Sequence, residues 1–286
     1  MDQTTPVLTQ YSGVCNARRK RSGKIKIGVH SKSNSAVKIL ITVLLGLTVY
    51  AFISFDYKEI VLGEAIAATL RNVKTVFLEP KLSTDTFKNV MYQLFLTFCL
   101  GTLSTIFGAI AAFFCSLLCA KNTAPSGVAN AVKCVIALIR AVPTVLWVLI
   151  FAVSAGLGSV AAVIGLTFHS FAYLTKVYAE SIEEIDDGTI EALRASGAGF
   201  WQIVLQAIVP ASLSRMVAWT FMRFEINFTN AIAVGAAAGA GGIGFNLYMA
   251  GSFYFNLHEM GILTYIVVIA VVMLEMFSTK IKERVK

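Results

Sequence analysis

Glu191-Ala-Leu-Arg-Ala-Ser-Gly-Ala-Gly-Phe-Trp-Gln-Ile-Val-Leu-Gln-Ala-Ile-Val-Pro210 lies between two long apolar segments. With its lead-in, Glu180 to Asp187, it is the most polar part of the second half of the chain. It reads as two short helices joined by a glycine. Thr189 can cap the first, whose Ile190 and Leu193 share an apolar face while Glu191 and Arg194 stand three apart on another, placed to pair. Gly197 ends that helix. Phe200, Ile203, Val204, Ala207 and Ile208 then recur at helical spacing, and Pro210 stops the pattern before the next apolar segment. An amphipathic hairpin hung between apolar segments is shaped to dock a partner, or else to lie on the bilayer surface.

Composition agrees with a membrane setting. The 286 residues are 57% hydrophobic and only 14% charged, with a mean hydropathy of +0.73, which excludes an ordinary soluble protein of this length. The net charge of +8 follows loop topology; no basic face with interleaved aromatics suggests nucleic acid. Cys15, Cys99, Cys115, Cys119 and Cys134 are odd in number, and Cys115 and Cys119 lack the companions zinc needs. They read as small buried hydrophobes, with no metal site.

Taken in order, residues 1–35 form a basic tail with Arg18-Arg19-Lys20-Arg21, expected to be disordered, and 36–55 form a first membrane helix. It is read as retained, because no small-residue cleavage site follows. Residues 56–88 are an external segment of mixed charge, with an amphipathic helix over 60–77 broken by Pro80. The core, 89–280, holds spans at 90–120, 128–156, 159–178, 216–234 and 262–277, with the polar loop at 179–211; a short tail, 281–286, ends the chain. Gly101 and Gly108 suit close helix approach, and Arg140 belongs near a membrane end. His169 reads as a packed, hydrogen-bonded histidine. The reading is an all-α integral membrane protein with six spans. With both termini inside, the cytoplasm receives most of the 24 Lys and Arg, leaving Lys58, Arg71, Lys74, Lys81 and Lys88 outside and Arg140 and Arg223 within the membrane. This predicts a multi-pass protein of the cytoplasmic membrane, in contact with its lipid.

Gly239-Ala-Gly-Gly-Ile-Gly244 has the letters of a dinucleotide fingerprint, but an apolar membrane helix precedes it and Glu259 comes too early for the ribose-binding acid. No Walker A sequence occurs, so the chain has no ATPase site of that kind and no cofactor of its own. No catalytic cluster forms either, since His30, His169 and His258 fall at different depths. In the fifth span, Arg223, Asn227 and Asn230 share one face and Glu225 another. Counted from Met216 at 1.5 Å per residue, Glu225 lies roughly 14 Å into a core of about 30 Å. Polar groups at that depth either clamp helices together or line a path, here one that passes an anion.

Glu191-Ala192-Leu193 with Gly197 and Ile208-Val209-Pro210 resembles the EAA loop of ABC-importer permeases. Arg140-Ala-Val-Pro143 resembles a motif of the phosphonate and methionine importers, and Arg223-Phe-Glu225-Ile-Asn227 with the glycine run resembles the phosphonate-importer permeases. The resemblance implies a six-helix, binding-protein-dependent type I importer permease working as a homodimer. It implies ATPase subunits that use ATP and Mg and dock on Glu191, Ala192, Leu193, Gly197, Ile208 and Pro210, and an extracytoplasmic substrate-binding protein. Arg223, Glu225, Asn227 and Asn230 would line the path of a phosphonate or a related oxyanion such as phosphite. A methionine-type importer is the alternative within the class. A channel or ion-coupled carrier is the rival outside it, but no internal repeat supports that.

Overall fold

The computed structural model describes residues 16–19, 25–28, 32–54 and 61–285. Two compact units divide the chain, Met1–Ile66 and Ala67–Lys286. In the first, β1 (Asn16–Arg19) pairs antiparallel with β2 (Ile25–Gly28), Asn16 opposite Gly28 and Arg19 opposite Ile25, and α1 (Lys32–Ser54) follows. The chain is all-α apart from this short strand pair, which lies within the tail expected to be disordered. Ile25 and Ile27 alternate with lysine and glycine at the strand period of two, a pattern hidden within a basic run. The rest of residues 1–31, and 55–60, lie outside the described residues. Residues 35–54 are exposed throughout, as befits a helix apolar all round that faces lipid.

α2 (Leu62–Leu78) begins in the first unit and runs into the second, where α3 (Phe87–Cys119), α4 (Ser126–Ala141), α5 (Thr144–Ala155), α6 (Ser159–Glu183), α7 (Asp187–Ala195) and α8 (Phe200–Ile203) follow. A π turn over Val204–Ile208 then leads into α9 (Val209–Ala238), and α10 (Gly242–Tyr248) with a second π turn precedes α11 (Leu257–Val285). Among the described residues five helices are long and apolar enough to cross a membrane, and a sixth crossing would be the bent pair α4–α5.

That pair occupies the third span expected at 128–156 and divides it in two. α4 and α5 meet at 88°. Pro143 has no N–H to donate and disfavours helical backbone in the residue before it, so Val142 is extended at φ −86°, ψ 126°. The carbonyl of Ile139, four residues before Pro143, loses its helical donor and accepts instead from the Trp147 indole at 2.9 Å. Pro210 behaves differently. Rather than ending a helix, it lies in the first turn of α9, and the preceding π turn shifts the backbone by one residue so that Val209 N–H reaches the Val204 carbonyl. The hairpin's second arm and the fifth span are thus one helical run, Phe200–Ala238.

Glycines set the closest contacts. A Cβ on Gly108 would stand 2.8 Å from Ser170 Cβ on α6, and one on Gly101 would stand 3.1 Å from the Phe228 backbone on α9. Gly239, Gly241 and Gly242 all have positive φ, which reverses the chain from α9 into α10. Gln93 and Thr97 of α3 then accept the Gly242 and Ile243 N–H groups at 3.0 Å each. The dinucleotide-like letters therefore build a reversal. Beside it, the buried Glu259 carboxylate accepts the Thr84 and Asp85 N–H groups at 3.0 and 2.7 Å and ties the α2–α3 loop to the start of α11.

A Cβ on Gly244 would lie 1.8 Å from the Ile232 carbonyl oxygen, whereas nothing lies within 4 Å of one on Gly46. Gly244→Val is expected to lower the thermal unfolding midpoint of the detergent-solubilised protein, and Gly46→Val to leave it in place.

Candidate functional site

The hairpin is built around Gly197. Its φ of +84° allows the Gly197 N–H to reach the Arg194 carbonyl and the Ala198 N–H the Leu193 carbonyl, both at 3.0 Å, a Schellman closure of α7. Thr189 does not cap α7. It sits in the first turn, its own N–H donating to the Asp186 carbonyl at 3.1 Å. Nor do Glu191 and Arg194 pair, since Arg194 Nη2 donates to the Asn122 carbonyl in the α3–α4 turn at 3.0 Å. An exposed pair at that spacing is worth only about 0.2–0.5 kcal/mol, which a fixed carbonyl readily outcompetes.

The apolar face of the hairpin points inward. Ile190, Ile203, Val204 and Ile208 form one core with Leu117, Leu174, Ile182 and Met216. That face is not available to lipid, which corrects the surface-lying alternative. Phe200 departs from the predicted face and stands exposed beside Trp201. Of the six residues expected to meet a partner, Glu191, Ala192, Gly197 and Pro210 are exposed, Leu193 is half-buried and Ile208 is sealed in the core. Beside Glu191 opens a cleft of 410 Å³ lined by Lys121, Asn122, Glu183 and Arg194. Two of its walls are joined where the Glu183 carboxylate accepts the Lys121 N–H at 2.9 Å, and Lys133 Nζ meets the same carboxylate at 2.7 Å.

The polar interior of the bundle centres on Ser170. Its hydroxyl donates to the Leu166 carbonyl at 2.6 Å and accepts from Asn227 Nδ2 at 2.8 Å and from Arg223 Nε at 3.0 Å. Asn227 Nδ2 also donates to Thr105 Oγ1 at 2.8 Å, so this fully buried amide joins α3, α6 and α9. Both N–H groups of the amide are thereby used between helices. Arg223, 2% exposed, donates through Nη2 to His169 Nδ1 at 2.9 Å. A guanidinium can only donate, so Nδ1 is the acceptor, the ring is neutral and its proton sits on Nε2. The Arg223 guanidinium carbon lies 5.2 Å from the centre of the Tyr173 ring, and that of Arg140 lies 5.9 Å from the same ring.

Glu225 departs from this group. It faces α11, where Lys282 Nζ reaches both its oxygens at 3.2 Å. Met216 is not a helix end, so depth counted from it does not hold, and Lys282 is drawn out of the expected tail into this pair. Asn230, half-buried, makes no hydrogen bond among the described residues. The structure thus brings Arg223 and Asn227 together and leaves Glu225 and Asn230 apart from them. It adds Ser170, Tyr173 and Arg140. The spacing of His169, Ser170 and Tyr173 on one face of α6 was the available signal.

Comparison with known proteins places these features in a family context. Residues 112–281 match the profile of the family described as binding-protein-dependent transport system inner membrane component. The phosphate-import permease protein PhnE of Mycolicibacterium smegmatis is 37% identical over 152 residues, 53% of this chain and 28% of that protein. The phosphite transport system permease protein PtxC of Stutzerimonas stutzeri is 30% identical over 185 residues, 64% of this chain and 65% of that protein. Among solved structures, an inward-facing MetNI methionine ABC transporter superposes with a TM-score of 0.64 at 23% identity, covering 72% of this chain and 100% of that one.

Because the Asn227 amide is buried and bonded on two sides, Asn227→Leu is expected to cost about 1–3 kcal/mol of stability, read by denaturant or thermal unfolding in detergent. Asn230→Leu is expected to stay within about 0.5 kcal/mol.

Proposed function

The chain belongs to the family of binding-protein-dependent transport system inner membrane components, and from that premise we propose that it is the membrane-spanning subunit of an ATP-driven importer for phosphonate or a related phosphorus oxyanion. The observation that carries the substrate is Arg223, a buried arginine within a membrane-crossing helix that has no carboxylate within 4 Å among the described residues. A cation at such a position is costly unless it has work to do with an anion. The phosphate- and phosphite-importing names of the relatives favour the same ligand class.

In this reading two copies of the chain sit in the cytoplasmic membrane with both termini inside, joined by two copies of a separate ATPase and served by an extracytoplasmic binding protein. ATP hydrolysis belongs to the ATPase. The exposed Glu191, Ala192 and Gly197 meet it, while Leu193 and Ile208 hold the hairpin to the bundle. Because Phe200–Ala238 is one helical run, a push on the hairpin is carried along a rigid rod to Arg223. Arg223 lies on the path, Asn227 braces it, and Glu225 ties the rod to α11.

Two measurements test this. In vesicles holding the permease with its ATPase and binding protein, wild type is expected to take up labelled methylphosphonate when ATP is supplied, and Arg223→Ala to lose uptake while remaining folded. Activity driven only by a methionine-loaded binding protein would discard the substrate. Separately, Gly197→Arg and Glu191→Lys are each expected to abolish uptake with insertion intact; unchanged uptake in both would remove the docking role of the hairpin.

A further inference from the structure

The break between α4 and α5 brings a second cation to the Arg223 group. Arg140 lies in the last turn of α4, three residues before Pro143, and its guanidinium shares the Tyr173 ring with that of Arg223. α6 contributes Tyr173 and His169 from one face, and α9 contributes Arg223. Three elements distant in sequence therefore converge on one aromatic ring.

The donors in this group outnumber the acceptors. Ser170 and His169 take two of the five N–H groups of Arg223, and the others have no acceptor among the described residues. Arg140 makes no hydrogen bond or ion pair there beyond its contact with the ring. Among the described residues the Tyr173 hydroxyl makes no hydrogen bond, and the His169 Nε2–H, fixed as a donor by the bond at Nδ1, makes none either. Two guanidinium groups, a phenol and an imidazole N–H thus cluster about one aromatic ring, with two positive charges and no carboxylate ion-paired to them among the described residues.

Unrelieved, this arrangement is unfavourable. Two cations on one ring in a low-dielectric bundle repel each other, and a cation–π contact of about 0.5–2 kcal/mol each offsets only part of their desolvation. The C-terminal dipole of α4 helps Arg140, but Arg223, in mid-helix, has no such help. Arginine presents a planar fork that matches phosphate and phosphonate oxygens in pairs. A tetrahedral anion offers oxygens in several directions, which suits two forks plus single donors from a phenol and an imidazole.

We propose that Arg140, His169, Tyr173 and Arg223 form one binding site for a doubly charged tetrahedral oxyanion, at the junction of the α4–α5 break with α6 and α9. The choice of a phosphorus oxyanion as ligand rests on the importer reading above; the existence of the site rests on the donors and charges themselves. The site selects by charge. Two arginines without a carboxylate favour a dianion over a carboxylate monoanion and disfavour a zwitterionic amino acid, whose ammonium would meet two like charges and no carboxylate.

The test is equilibrium binding of labelled methylphosphonate to the purified permease–ATPase complex without its binding protein, run beside uptake in vesicles. Wild type is expected to bind, Arg140→Gln to bind about tenfold more weakly through the loss of a charge-assisted contact, and Tyr173→Phe to bind several-fold more weakly. Arg140 makes no hydrogen bond or ion pair among the described residues, so its variant is expected to keep the wild-type unfolding midpoint, which separates lost binding from lost folding. Absence of binding in wild type, or equal affinity in wild type and Arg140→Gln, overturns the site whatever the uptake result. Uptake that persists while Arg140→Gln changes nothing leaves the importer and removes the site. Binding that Arg140→Gln weakens, without any uptake, keeps the site and removes the transport reading.

Discussion

One amide side chain, that of Asn227, holds three membrane helices at a single point. Within a bilayer the hydrophobic effect does not drive helices together, because lipid tails are as apolar as leucine, so close packing and polar bonds must do so. Gly101, Thr105 and Gly108 lie along one face of α3 and supply both: the glycines let the backbones of α9 and α6 approach, and the threonine hydroxyl meets Asn227 between them. Ser170 completes the junction from α6 and, with its second lone pair, holds Arg223. The arginine assigned to the anion is therefore placed by the same bonds that hold the bundle. Its position is as rigid as the fold.

The same amino acid has opposite effects at two places. Pro143 breaks its helix by 88°, whereas Pro210 is absorbed into a continuous run. Both lack an N–H, and both threaten the carbonyl four residues earlier. At Pro143 the preceding residue is extended and the Trp147 indole satisfies the carbonyl that the proline leaves without its helical donor. At Pro210 a π turn shifts the hydrogen-bond ladder instead. The break gives the bundle a corner that carries Arg140 inward, and the continuous run gives it a rod from the hairpin to Arg223.

The hairpin was the most legible part of the chain, and its misreadings concern its weakest local interactions. Gly197, the inward face of Ile190, Ile203, Val204 and Ile208, and the two arms follow from local spacing and backbone freedom. The Thr189 cap and the Glu191–Arg194 pair were also inferred from local spacing, but α7 already starts at Asp187, ahead of Thr189, and the α3–α4 turn offers Arg194 a better acceptor, the Asn122 carbonyl. Capping and ion pairs on an exposed helix are worth a kilocalorie per mole or less, so any well-placed tertiary partner displaces them.

The sequence by itself determined that the chain lives in a membrane, where its apolar segments fall, that a glycine-jointed hairpin lies between two of them, and that Arg223 is out of place in an ordinary span. These are properties of single segments, recorded in hydropathy and period. Only the tertiary structure decided that Glu225 belongs to Lys282, that Asn227 bonds to both α3 and α6, and that Arg140, His169 and Tyr173 gather around Arg223. The physical reason is that a membrane helix is apolar on the face it turns to lipid and on the face it turns to its neighbours. Hydropathy cannot tell the two faces apart, so which side chains meet is settled only when the helices pack.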